Sequence, residues 1–235
     1  MASSPEEVVM FLKDLAMRAR PFAEKELEQI NQYAEQVDSI RKIEAWDIAF
    51  VSEKLKRNKF SIDSEELRNY FPLSKVLVGL FRTVKDLFGC DIFEEHGDRF
   101  DIAWDKSVRV FKVVNEDQIT GYFFFDLFSR EEKRGGAWMD ECRSRVKHST
   151  GIQSPIALMN CNFSQPTQGK DVYLTHDEVV TLFHEFGHGL HHLLTEIDYL
   201  EISGISGVEW DAVELPSQFL ENFAWEYDTL SKISK

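Results

Sequence analysis

The chain has 235 residues, 43% of them hydrophobic, and a formal net charge of −14. That length and apolar content allow one large or two small domains with a real core. The acidic balance argues against a nucleic-acid partner, which needs a basic surface to displace counterions. No apolar run approaches the roughly 20 residues of a membrane helix, so no membrane partner is expected.

The N-terminus, Met1-Ala-Ser-Ser-Pro-Glu-Glu7, lacks the basic and apolar stretches of a signal peptide. Cys90, Cys142 and Cys161 are odd in number and form no CxxC pair. They point to a reducing compartment, and the expected location is cytoplasmic. Ser4 as N-cap, Pro5 at the first helical position and Glu6 and Glu7 beside the positive dipole end open a helix. Val8, Phe11, Leu12 and Leu15 continue it at helical spacing. Pro21 is expected to end or kink it, with a further helix through Leu27, Ile30 and Tyr33. Helices are also expected around Trp46–Leu55 and over Leu73–Phe88, the latter closed by Gly89.

The period then changes. Val108–Val114 and Gly121–Phe128 read as strands joined by a turn at Asn115–Gln118. Ala137–Met139 and Ile156–Phe163 are two further short strands. The aromatic run Tyr122–Phe125 reads as buried strand rather than as a ligand box. From Thr175 the chain is helical again. Thr175-His-Asp-Glu178 is a capping box, Gly204 and Gly207 mark a loop, and a last helix is expected over roughly Asp211–Leu230. The fold class is α+β, mainly helical, with a small antiparallel sheet. Residues 1–100 form a helical region, and residues 101–235 hold the sheet and the catalytic helices.

The helix opened by Thr175 carries His184-Glu185-Phe186-Gly187-His188. Two histidines four apart project from one face, separated by about 6 Å of rise. That spacing suits one tetrahedral zinc, and Glu185 sits where it can take a proton from water on the metal without being a ligand. A third protein ligand is needed. Glu196, Asp198 and Glu201 follow too soon for the chain to leave the helix and return. Glu214 lies on the next helix, while Glu209 and Asp211, near that helix's start, are weaker choices. Glu221, seven residues beyond Glu214, shares its face and can accept a hydrogen bond from the back of a histidine ring. His191 and His192 read as flanking residues rather than ligands. Gly187 and Gly189 cost roughly 0.8–1.0 kcal/mol each in a helix, which close approach by another element or by substrate would explain. A peptide held by strand addition needs an open sheet edge, and Gly135-Gly136-Ala137-Trp138 is the candidate.

The run His184–His192, Ser203-Gly-Ile-Ser-Gly207 and Trp210–Asn222 closely resembles the M3 family of zinc oligopeptidases, the thimet oligopeptidase family. Tyr70–Leu77, Arg134–Asp140, Cys161–Phe163 and Thr175–Val179 extend the resemblance over essentially the whole chain. It implies His184, His188 and Glu214 as ligands of one Zn2+ and Glu185 as general base. It also implies a zincin-type core whose sheet packs against the HExxH helix. The implied activity is endopeptidic hydrolysis of short peptides by a zinc-activated water, within a channel between two mostly helical halves. The resemblance is to the middle of the family's sequence alone. The family's C-terminal histidine and tyrosines, which contact substrate, have no counterpart here. The alternative expectation is therefore a zinc-binding remnant with weak or no catalysis.

Overall fold

A computed structural model describes residues 2–38, 40, 42–61, 63–97, 103–167 and 171–235. The domain boundary expected between residues 100 and 101 lies outside the described residues. The chain forms two compact units, Met1–Glu66 and Leu67–Lys235. In the first, α1 spans Pro5–Asp38 and α2 spans Asp47–Phe60. Pro21 does not end α1, and the further helix expected through Leu27, Ile30 and Tyr33 is part of the same element. The helix is exposed along almost its whole length. Water can therefore take the carbonyl whose partner the proline removes.

A short helix α3, Ser64–Arg68, precedes α4, Leu73–Phe88, which begins and ends where the sequence placed it. Gly89 closes α4 in the left-handed region, with φ of 73° and its N–H on the Lys85 carbonyl. The strands of the second unit are β1 (Asp91–Glu95), β2 (Arg109–Asn115), β3 (Gln118–Phe128), β4 (Trp138–Arg143), β5 (Val146–His148), β6 (Gly151–Gln153) and β7 (Ile156–Phe163). Positive φ at Glu116 and Asp117 forms the two-residue turn between β2 and β3.

The main sheet has the order β1-β2-β3-β7-β4, and β5 and β6 form a separate hairpin. It is mixed rather than antiparallel, because β3 and β7 run parallel from Tyr122↔Ile156 onward. The 27 residues between their ends supply β4 and the β5–β6 hairpin before the chain returns to β3's starting side. That length satisfies the dozen or more residues that a parallel crossover needs. The helices that follow are α5 (His176–Leu193), α6 (Leu215–Glu221) and α7 (Tyr227–Ile233). The single last helix expected over Asp211–Leu230 is therefore replaced by two short ones. Pro216 explains the later start: in a helix begun at Asp211 its ring would meet the Ala212 carbonyl, which instead accepts from Leu215. The break between α6 and α7 falls at Glu226, whose backbone is extended.

The aromatic run sits in the sheet as read from sequence. Phe123 and Phe125 face α5 and pack with Phe111, Phe81 and Phe186, at ring-centroid distances of 4.9–6.5 Å. Phe124 faces the other way and stacks on Trp104. At the end of β3, Asp126 is 2% exposed and accepts from Arg130, Lys133 and Trp104. Burial alone would raise its carboxyl, but these donors hold it at about 2. Lys133, itself buried, also donates to the carbonyls of Asp126, Phe128 and Cys161, tying β3 to β7. Asp126→Asn is expected to cost about 3 kcal/mol at neutral pH, because it leaves a buried ammonium without its counter-charge. The wild-type advantage is full above pH 4 and shrinks as pH falls toward about 2, where Asp126 itself protonates. Urea unfolding of both proteins at neutral pH and near pH 3 checks the cost and its sign.

Candidate metal centre

The N-terminus of α5 is fixed by the expected capping box. The Thr175 hydroxyl accepts from the Glu178 N–H at 3.1 Å, and the Glu178 carboxylate accepts from the Thr175 N–H at 2.7 Å. Arg68 reaches the same carboxylate. Beyond the cap, Val179, Leu182, Phe183, Phe186, Leu190 and Leu193 are buried in the core. The helix thus presents His184 and His188 on one remaining face.

The two glycines explain how close the neighbours come. A Cβ on Gly187 would lie 2.6 Å from the Pro216 carbonyl oxygen and from the Ser217 Cα, so α6 rests on the bare backbone. A Cβ on Gly189 would overlap the Met159 side chain of β7. Gly187 in particular lets Glu214, the residue capping α6, approach the two histidines.

His184, His188 and Glu214 offer three ligand atoms within 4.8 Å of one another. The Nε2 atoms of His184 and His188 lie 3.2 and 3.1 Å from Glu214 Oε2. Their rings are nearly perpendicular, with centroids 4.9 Å apart. Glu221 closes α6, and its Oε1 lies 2.5 Å from His184 Nδ1. A carboxylate only accepts, so Nδ1–H donates and the Nε2 lone pair is left facing Glu214 and His188. Glu209 and Asp211, the weaker alternatives, are exposed and outside this group. His191 and His192 are outside it as well.

Glu185 is 5% exposed. Burial, reinforced by the nearby Glu214 charge and opposed by His184, raises its carboxyl to about 7. Burial also lowers His188 and so favours the neutral imidazole that a metal ligand must be. Burial pushes the Glu214 carboxyl up, but the Ser217 hydroxyl and the two imidazoles outweigh it and hold it below its ordinary value. Ser217 was not singled out from sequence. Its position three residues after Glu214, in the first turn of a proline-opened helix, is the signal that marks it.

His184, Glu185, His188 and Glu214 border a cleft of about 490 Å³. Ala137, Trp138 and Met139 form one side of it, and Ile205, Val208, Trp210 and Val213 another. β4 is the outermost strand of its sheet, and its free side pairs with no other strand among the described residues. The candidate edge thus lies beside the histidines. Gly136, at φ of 93°, turns the chain into it.

Among the described residues no helix is long and apolar enough to cross a membrane. The family model for peptidase family M3 matches residues 1–235. The chain is 50% identical to oligopeptidase A of Salmonella typhimurium, covering all of this chain and 34% of that protein. It is 36% identical to dipeptidyl carboxypeptidase of Escherichia coli, over 95% of this chain and 32% of that protein. Saccharolysin of Saccharomyces cerevisiae is 31% identical over the whole chain and 35% of its own length. The chain therefore spans about a third of the length of these relatives. A match over every residue, with the two histidines and a carboxylate gathered beside Glu185, establishes that the chain belongs to peptidase family M3.

Proposed function

We propose that this chain is the catalytic part of a zinc-dependent metalloendopeptidase that hydrolyses short peptides. The supporting observation is the group His184, His188 and Glu214, within 4.8 Å, beside a buried glutamate and an open strand edge. The donor set suits zinc: two imidazole nitrogens and one carboxylate oxygen leave a fourth tetrahedral position open. Glu221 supports it by fixing the His184 tautomer. The three unpaired cysteines fit a cytoplasmic setting.

Zinc held by these donors supplies Lewis acidity toward water and toward a peptide carbonyl. The chain's own groups supply the rest. Glu185 takes the proton of the attacking water and passes it to the leaving nitrogen, from a buried position next to His184. The Ala137–Met139 edge holds the peptide extended through main-chain hydrogen bonds, which read no side chain and so accept many sequences. Burial of Glu185 and His188 limits the water around the moving proton.

The test is a zinc titration of the purified chain beside cleavage of a quenched fluorescent peptide. Stoichiometric zinc binding with peptide cleavage supports the proposal, and absence of zinc binding removes it. The same assay isolates a second reading, favoured by the match to about a third of each relative. In that reading the chain binds zinc but hydrolyses peptides weakly or not at all, because further substrate contacts come from elsewhere in the longer proteins. Glu221→Gln is expected to lower zinc affinity or activity about 10–100-fold, the usual effect of losing a group that orients a ligating histidine. Isothermal titration with zinc reads it directly, and an unchanged affinity and rate would make Glu221 a bystander.

A further inference from the structure

The edge strand β4 is held at both ends by side chains where its own ladder gives out. At its start, pairing with β7 ends at Trp138↔Asn160. Two residues further along β7, Asn162 donates through Nδ2 to the carbonyls of Arg134 and Gly136, at 2.8 and 2.6 Å. One amide thereby replaces the ladder that Gly136, in the left-handed region, cannot continue. At the far end the register shifts between Glu141 and Arg143. There the carbonyl of Arg143 accepts from His192 Nε2 at 2.9 Å. His192 is fully buried, and its Nδ1 faces Gly204 so closely that a Cβ there would lie 2.6 Å away. The ring is thus wedged between the glycine loop and the edge strand, with a single tautomer able to serve the carbonyl.

His192 lies one helical turn beyond His188 on α5, the helix that carries both metal-binding imidazoles. Its hydrogen bond therefore references the edge strand to the metal centre through one rigid element. We propose that Asn162 and His192 are positioning residues, a pair of clamps that fix the spacing between the peptide-holding edge of β4 and the His184–His188 face of α5. The inference rests on the peptidase reading for its substrate, but the clamp itself is a property of the strand. Neither residue touches the metal centre. Their effect falls on how well the strand edge accepts a bound peptide, which KM reads.

The experiment compares wild type with Asn162→Ala, His192→Leu and His192→Gln. Each zinc-loaded full chain is measured for zinc affinity, for KM and kcat on a quenched fluorescent peptide, and for amide hydrogen exchange across residues 137–143. The expected result has four parts. Asn162→Ala and His192→Leu each raise KM about tenfold, the scale of one lost hydrogen bond. Zinc affinity stays within about twofold of wild type. Exchange in β4 accelerates. His192→Gln recovers most of the loss, because its amide N–H can reach the same carbonyl. Unchanged KM and unchanged exchange in both truncations would overturn the clamp. So would a fall in zinc affinity as large as the rise in KM, which marks a general loss of structure. If wild type binds no zinc, the peptidase reading fails, and if it binds zinc without cleaving peptide, the weak-catalysis reading holds; in both cases the clamp is decided by exchange alone, faster supporting it and unchanged overturning it.

Discussion

Replacing Glu185 with glutamine is expected to abolish peptide hydrolysis while leaving zinc binding intact. Glu185 is adjacent in sequence to His184, a proposed metal ligand, yet it lies outside the three-residue donor group. Its proposed role is to carry a proton, and an amide cannot accept one at neutral pH. General-base loss typically costs about 10²–10⁴ in rate, and here the same carboxyl also returns the proton to the leaving nitrogen. Glutamine keeps the volume and shape of the buried side chain, so the packing of α5 against Phe81, Phe123 and Phe125 is retained. Steady-state kinetics on a quenched peptide, with zinc content measured on the same sample, provide the check. A variant with full zinc and near-normal kcat would remove Glu185 from the role of base. The variant also reports contaminating protease in any preparation of the chain. The result carries over to a longer protein containing these residues, since the carboxyl and its charged neighbours His184 and Glu214 all lie between α5 and the start of α6.

What sequence made legible is what local chemistry controls. The capping box at Thr175, the glycine stop at Gly89 and the tight turn at Glu116–Asp117 each depend on residues within four positions of one another. The histidine pair is local in the same sense, since four residues on a helix fix the face. Glu214 and Glu221 were reachable because seven residues make two turns, so both carboxyls return to one side. The parts that escaped are long-range. The parallel pairing of β3 with β7 depends on the path of 27 intervening residues, which no periodicity encodes. Asn162 reaches carbonyls 28 and 26 residues away, and His192 one 49 residues away. An asparagine in a strand and the fifth histidine on a helix carry no signal of such partners. Pro21 misled for a physical reason: proline's cost in a helix falls on one hydrogen bond, and an exposed helix can lose one without ending. Pro216 has the opposite effect, setting the start of α6 and so making Glu214 a cap rather than a mid-helix residue.

Glu214→Gln is expected to weaken zinc binding more than any change outside the donor group, by more than about 100-fold, beyond the about 10–100-fold typical of residues that only orient a ligand. The carboxylate is the one anionic donor among the three, and its Oε2 lies 3.1–3.2 Å from both imidazole Nε2 atoms. Glutamine keeps an oxygen in nearly the same place but removes the charge that offsets the metal's. The Ser217 hydroxyl, which donates to Glu214 Oε2 at 2.9 Å, can still orient the amide oxygen. The loss therefore isolates charge rather than position. Two measurements separate this from simple unfolding. Competition with a chelator of known affinity gives the zinc constant, and thermal unfolding with and without zinc gives the coupling. A ligand at 100 times its dissociation constant stabilises by about 2.7 kcal/mol, so wild type should show a clear zinc-dependent rise in Tm that the variant lacks at the same zinc concentration. The zinc-free proteins should melt close together, because the Glu214 side chain is half exposed and supports little packing of its own. Wild-type zinc affinity in the variant would show that the carboxylate is not a ligand. It would reopen the choice among the other acids of the Gly204–Glu221 segment, with Glu209 and Asp211 first in line.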